Sequence, residues 1–244
     1  MAIDFTFADM HSHIIAGVDD GSRSLEMSLE MLRIASDEGI RRIILTPHNK
    51  IYLKSASPEG IIRRTDALQE ECIKNNIDIE LYPGSELYYD QSLSDRLEKG
   101  QALSMAGTDH ILIEFAPDNE YSYIAEAVRR LSYDGWKIIL AHCERYICLY
   151  QKELIRVDDL LSKGVMLQVN AGDVLLGPFS KMGRFTRRLL SERKISFVGT
   201  DAHRDEGERA PYIRDCVNYI AKKYGEDYAR LIVHDNTYAL TGGE

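Results

Sequence analysis

The chain has 244 residues, and 39 Asp and Glu against 30 Lys and Arg give it a formal charge of −9 at pH 7. That balance excludes the broad basic face a nucleic-acid backbone requires, and nucleic acid is not an expected partner. Hydrophobic residues make up 44%, yet no apolar run approaches the ~18–20 residues of a membrane-spanning helix, so membrane insertion is not expected. The opening Met1-Ala2-Ile3-Asp4-Phe5 lacks the basic start and apolar core of a signal peptide, and the expected location is cytoplasmic. Cys72, Cys143, Cys148 and Cys216 form no Cys-x-x-Cys pair and read as reduced thiols.

Seven segments read as buried strands: Asp9–His13, Arg42–Pro47, Ile79–Gly84, His110–Phe115, Lys137–His142, Val165–Asn170 and Ile195–Thr200. Most are near-continuous Ile, Leu and Val, the pattern of a parallel sheet covered on both faces. Helical stripes lie between them, at Leu25, Leu29, Leu32 and Ser36; at Ile61, Thr65, Leu68 and Cys72; at Ile124, Val128 and Leu131; and at Ile213, Val217 and Ile220. Ser57-Pro58 is a helix start, with Ser as N-cap and Pro in the first turn. Gly39, Gly135 and Gly164 stand where a left-handed C-terminal cap precedes each next strand. The unit recurs every roughly 28–38 residues, the step of a β/α barrel. The expected fold is α/β, a single distorted (β/α)7 barrel occupying residues 1–244 as one domain.

Polar residues gather where these strands finish. His11 and His13 close the first, and alternation along a strand points both imidazoles to one side. Asp19 and Asp20 follow in the next turn, and His48 follows Thr46-Pro47. Glu86 follows Gly84-Ser85, Glu114 lies in Ile113-Glu114-Phe115, and His142 precedes Glu144 and Arg145. The last strand ends in Thr200-Asp201-Ala202-His203. In β/α barrels the C-terminal strand ends share one face, which holds the chemistry. Each residue taken singly has an ordinary explanation as a turn former or a hydrogen-bond partner. Together, carboxylates crowded in one cleft must be neutralised, and cations do that. Five histidines and four carboxylates exceed the needs of one ion, so two or three divalent ions are expected. Ligation by N and O without thiolate suits manganese, iron or zinc. Cys143 should face away from His142 and is left out of the ligand set.

These motifs resemble the PHP (polymerase and histidinol phosphatase) superfamily. The resemblance is strongest to its manganese-dependent protein-tyrosine phosphatases of bacterial capsule and exopolysaccharide operons. It rests on Asp9-Met-His-Ser-His, Gly17-Val-Asp-Asp-Gly, Thr46-Pro-His48, Pro83-Gly-Ser-Glu86, Ile111-Leu-Ile-Glu-Phe115, Ala141-His-Cys-Glu-Arg-Tyr146 and Thr200-Asp-Ala-His203. It spans nearly the whole chain. By this resemblance His11, His13, Glu86 and Asp201 hold one metal. Glu86 bridges to a second, completed by Glu114 and His142, while Asp20, His48 and His203 hold a third. Arg145 and Arg209 match the arginines that grip phosphate. Manganese is the expected ion, with iron or zinc as alternatives. Cys143 departs from the family pattern, which has Pro there, and Asn49 stands where a second His is common.

The implied reaction is hydrolysis of a phosphoric monoester by a metal-bridging hydroxide. The implied substrate is phosphotyrosine on a protein, a cognate bacterial tyrosine kinase being the expected partner. A small-metabolite phosphatase, as for histidinol phosphate, is the alternative, and a metal-dependent nuclease a more distant one. A surface pair between Arg145 and Glu144 is the ordinary alternative for that arginine. A thiolate phosphatase needs Cys followed six positions on by Arg. Here those positions hold Asp78, Leu149, Leu154 and Lys222, so that mechanism fails.

Overall fold

The continuous apolar runs become parallel strands of a curled sheet in the computed structural model, which describes residues 3–50, 56–151 and 153–242. In chain order come β1 (Phe7–Ser12), α1 (Leu25–Glu38), β2 (Ile40–Leu45), β3 (His48–Asn49) and α2 (Pro58–Lys74). Then follow β4 (Glu80–Pro83), β5 (Glu86–Tyr88), α3 (Leu93–Glu98), β6 (His110–Glu114), α4 (Tyr121–Tyr133) and β7 (Lys137–Leu140). The last third holds α5 (Ile155–Ser162), β8 (Met166–Asn170), α6 (Ala171–Val174), α7 (Lys181–Ser191) and β9 (Phe197–Gly199). Three helices end the chain, α8 (Arg214–Tyr224), α9 (Glu226–Arg230) and α10 (Asn236–Leu240). Strand order is β1-β2-β4 in one sheet and β3-β5-β6-β7-β8-β9 in the other, all pairings parallel. The result is a distorted α/β barrel.

Among the described residues nine strand segments stand where the apolar pattern predicts seven strands. The expected strands Arg42–Pro47 and Ile79–Gly84 correspond to β2 and β4, and the two further segments, β3 and β5, lie just beyond their expected ends, across Thr46-Pro47 and Gly84-Ser85. Pro47 has no N–H to donate to a ladder. Backbone bonds cross both gaps, from Thr46 N to Ser12 O (2.8 Å), Gly84 N to Leu45 O (2.9 Å) and Glu86 N to Pro47 O (3.2 Å). β3 pairs β5 in the register that β2 keeps on β4, Leu45 opposite Pro83 and His48 opposite Glu86, and Tyr88 of β5 stands opposite Glu114 of β6.

Alternation along the strands sorts two cores. Ile43 and Leu45, Ile111 and Ile113, and Ile138 and Leu140 pack outward among the helices. Ile44, Leu112 and Ile139 point the other way and form an inner cluster with Met10, Phe197 and Leu240. The helical stripes at Ile61, Thr65, Leu68 and Cys72, and at Ile124, Val128 and Leu131, are buried as their spacing predicts. In α1 the buried face is rotated: Met31 and Ala35 enter the core, whereas Leu25 is 43% exposed. The caps behave as their chemistry dictates. Ser57 Oγ accepts from Gly60 N at 3.2 Å, and Gly39 ends α1 at φ 98°.

Strict alternation separates Met10 from the two imidazoles beside it. The register of β1 against β2 shifts between Asp9 and Ser12, and such an irregularity re-aims side chains. Met10 therefore joins the inner cluster while His11 and His13 both reach the strand-end bowl.

The two ends of the sheet meet through side chain and backbone together. Asp9 accepts from Thr200 N (2.9 Å) and Thr200 Oγ1 (2.5 Å), Asp201 N donates to His11 O (2.8 Å), and His13 N donates to Ala202 O (2.9 Å). Gly199 makes this seam possible, since a Cβ there would sit 2.7 Å from His11 Cβ and 3.3 Å from His11 N. Gly199→Ala should therefore push β9 from β1 and lower stability by about 1–3 kcal/mol. Thermal unfolding of the variant checks this, and an unchanged melting temperature contradicts it.

Candidate metal centre

Six strands and their following turns aim donor atoms into one bowl of about 220 Å³. From the end of β1, His11 Nε2 lies 3.4 Å from Glu86 Oε1 and 3.7 Å from Asp201 Oδ1. His13 Nε2 lies 3.4 Å from both Glu86 Oε2 and Asp201 Oδ1. His48 Nδ1 stands 2.7 Å from Glu86 Oε2 and 3.2 Å from Glu114 Oε1. His142 Nε2 is 2.8 Å from Glu86 Oε1 and 3.9 Å from Glu114 Oε2. Asp20 Oδ1 approaches His48 Nε2 at 3.4 Å and His203 Nε2 at 3.5 Å. All nine expected ligands thus meet in one place, from positions as far apart in sequence as His11 and His203.

Their grouping differs in part from the one the resemblance implies. The tight clusters are His11, His13 and Asp201; His48, Glu86 and Glu114; and His13, Asp20, His48 and His203. His48 therefore stands beside Glu86 and Glu114 as well as beside Asp20, and His142 approaches through Glu86. His142 and Asp201 both adopt left-handed backbone, at φ 33° and 52°. Non-glycine residues seldom do so, and such strain concentrates at functional sites.

Residues outside the expected ligand set orient the imidazoles: Gln168, not singled out by the sequence reading, and Asp19, noted there beside Asp20. His11 Nδ1 donates to Gln168 Oε1 (3.2 Å) and His13 Nδ1 to Asp19 Oδ2 (2.7 Å). His203 Nδ1 donates to the Asp201 carbonyl at 2.8 Å. Each bond places the lone pair of Nε2 toward the bowl, as in histidines that bind metal. Gln168 Nε2 donates to Asn170 Oδ1, and Asn170 Nδ2 to Asp201 Oδ2, both at 2.9 Å. The only sequence signal for Gln168 is an amide inside the apolar run Met166-Leu-Gln-Val-Asn170. Arg204 Nη1 ties the loops together by donating to the carbonyls of Asp20 (2.7 Å) and Gly21 (3.0 Å).

Both expected arginines line the bowl. Arg145 does not pair with Glu144, whose buried carboxylate accepts from Asn170 N at 2.8 Å. Its guanidinium lies 3.1 Å from Asp201 Oδ2 and 3.6 Å from Asp173 Oδ2. Arg209 Nη2 stands 2.7 Å from His203 Nδ1 and 3.6 Å from Asp201 Oδ1. Cys143 is fully buried in the outer core, and burial pushes its thiol pKa well up, so it is no nucleophile.

The charges are strongly coupled. Burial opposes charge on His13, but the hydrogen bonds it donates to Asp19 and Asp201 outweigh it and raise its pKa to about 10. Against burial, Glu114 and Glu86 raise His48 to about 9. Burial and then the charge on His13 lower His203 to about 3. Although burial acts the other way, His11 and its neighbours hold Glu86 and Asp201 well below the usual carboxylate range. His48 Nδ1 and Glu86 Oε2 are buried and 2.7 Å apart, yet neither has a hydrogen-bond partner among the described residues. Such orphaned polar atoms are costly. A divalent cation ligated by both relieves them, and the N and O donors suit a first-row metal.

An α/β barrel whose C-terminal strand ends converge on clustered histidines and carboxylates defines the class, a barrel protein with a candidate metal centre at that face. The model of the family described as Capsular polysaccharide synthesis, CpsB/CapC, matches residues 7–241, and the chain belongs to that family. It is 30% identical over 228 residues to the tyrosine-protein phosphatase YwqE of Bacillus subtilis, covering 93% of this chain and 89% of that protein. It is 28% identical over 238 residues to the tyrosine-protein phosphatase CpsB of Streptococcus agalactiae, covering 95% and 97%. A solved structure from work on YwqE of Bacillus subtilis and CpsB of Streptococcus pneumoniae, described as unique metal-dependent tyrosine phosphatases, superposes with a TM-score of 0.87. Its identity is 28%, covering 97% of this chain and 95% of that one. The family named from the strand-end motifs is thus the one these comparisons reach. Among the described residues no helix is long and apolar enough to cross a membrane.

Metal and protons compete for this bowl. His13 and His48, at about 10 and about 9 in the folded chain, stand above the ~6.5 of an unfolded histidine. Their contribution to stability is full below about 6.5 and is lost as pH rises through about 9–10. Glu86 and Asp201 contribute above the usual carboxylate range and lose that contribution on acidification. The chelator-treated protein should lose melting temperature between pH 7 and pH 10, and saturating manganese should abolish that loss. A metal-free profile flat to pH 10 contradicts this account.

Proposed function

We propose that the chain is a metal-dependent phosphoric monoester hydrolase that removes phosphate from phosphotyrosine in a protein, a bacterial tyrosine kinase being the expected substrate. The observation that carries this reading is one bowl in which His11, His13, Asp20, His48, Glu86, Glu114, His142, Asp201 and His203 converge, with Arg145 and Arg209 on its wall. Names of relatives at 28–30% identity support it. The role in capsule or exopolysaccharide regulation and a cytoplasmic site of action belong to the same reading.

His11, His13 and Asp201 would hold one cation, Glu86 and Glu114 with His48 or His142 a second, and Asp20 with His48 and His203 a third. Manganese is the expected ion. When bound, divalent cations supply Lewis acidity and lower the pKa of water.

The chain's own residues supply the rest. Gln168, Asp19 and the Asp201 carbonyl hold three imidazoles in their productive tautomers. Arg145 and Arg209 offer planar forks for the non-bridging phosphate oxygens, a geometry that Lys does not reproduce. The departing phenol has a pKa of ~10, so proton donation to the leaving group is a modest demand.

Chelation, His11→Ala or Glu86→Gln should abolish hydrolysis of a phosphotyrosine peptide, whereas thiol alkylation should leave it unchanged. Chelator-resistant turnover overturns the reading. Arg145→Lys should lower kcat/KM by about 10²-fold. Incubation with a tyrosine-phosphorylated bacterial kinase, scored by released phosphate, tests the partner. Preference for histidinol phosphate over the peptide would instead indicate a small-metabolite enzyme.

A further inference from the structure

A second cavity of about 650 Å³ adjoins the metal bowl, and Arg145 and Arg209 line both. Its lining includes Leu175 and Leu176, which follow α6, and Ala210 and Tyr212, which precede α8. Leu175 is 47% exposed and Tyr212 53%. Neither exposure is needed to build the barrel, and large exposed apolar side chains beside a polar site mark binding surfaces.

We propose that this groove seats the polypeptide flanking the phosphotyrosine, taking an apolar side chain of the substrate between Leu175 and Tyr212. The inference rests on the phosphotyrosine reading and adds where the protein part of the substrate lies. Size is the first argument. A bowl of about 220 Å³ is smaller than the ~300–1,000 Å³ of sites that enclose a whole ligand. It has room for cations and a phosphoryl group, so the ring and chain of the substrate lie outside it.

Continuity is the second argument. The arginines that would grip phosphate stand on the boundary, so a phosphate held there directs its ester substituent into the neighbouring cavity. Charge is the third. The lining mixes Glu38, Asp173, Glu208 and Asp215 with Arg145, Arg209 and Arg214, so it offers no continuous basic track for a nucleic-acid strand, while a peptide segment requires none. A small metabolite has no use for the apolar walls.

The test uses the manganese-loaded full chain with Leu175→Asp and, separately, Tyr212→Ala. Both side chains are half exposed, and neither belongs to the metal or phosphate machinery. The substrates are a phosphotyrosine peptide with leucine beside the phosphotyrosine, and free phosphotyrosine. Wild type should prefer the peptide. Each variant should lose about 10-fold in kcat/KM on the peptide, mostly through KM, with free phosphotyrosine unchanged. Peptide kinetics unaltered in both variants, or equal losses on both substrates, overturn the groove assignment while leaving the phosphatase reading intact. Failure of wild type to hydrolyse either substrate overturns the underlying reading, and the groove assignment with it.

Discussion

Glu86 is a carboxylate with no access to water, lying within 3.4 Å of donor atoms on His11, His13, His48 and His142. A buried anion is tolerated only when it is paired or bound to a cation, because desolvation otherwise costs several kcal/mol. Much of the barrel's irregularity serves that one constraint. Across the breaks at Thr46-Pro47 and Gly84-Ser85 the register of β2 on β4 carries through into β3 and β5, so that His48 and Glu86 face each other. The register shift in β1 lets both of its histidines turn inward.

A further layer holds these donors in place. His142 and Asp201 sit in left-handed backbone, a conformation that costs of order 1–3 kcal/mol where nothing demands it. Here it is held from outside: Gln168 Oε1 accepts from His142 N at 2.6 Å, and Asn170 Nδ2 donates to Asp201 Oδ2. One amide on β8 thus serves two histidines, through the ring of His11 and the backbone of His142. Such support makes a site precise, since ligands fixed before a cation arrives lose little freedom when it binds.

The bowl and the groove are two spaces of different character, one given to charge and the other offering apolar surface. Charge chemistry belongs in a small, polar, largely buried space, where carboxylates and imidazoles interact strongly. Recognition of a polypeptide needs area and apolar surface, which the segments around Leu175 and Tyr212 offer. Arg145 and Arg209 belong to both spaces. In an α/β barrel this division is natural, because the strands set the centre and the loops after them vary freely.

The sequence by itself determined the alternation of strands and helices, the caps at Ser57 and Gly39, and the donor types waiting at the strand ends. These are local facts: apolar runs, periodicity and turn chemistry act over a few residues. It also carried the family, through motifs spread along the chain. What only the tertiary structure decided depends on contacts between distant segments. Nothing near His48 in sequence says that it lies against Glu86 and Glu114 as well as Asp20, because the register of β3 on β5 sets that. Nothing near Gln168 says that it orients His11, since the two meet only when the sheet curls. The rotated face of α1 was likewise settled by packing, where Met31 and Ala35 fit the sheet and Leu25 does not. Residue types are written along the chain, but which of them share one dry pocket is decided by register, closure and the left-handed turns at two strand ends.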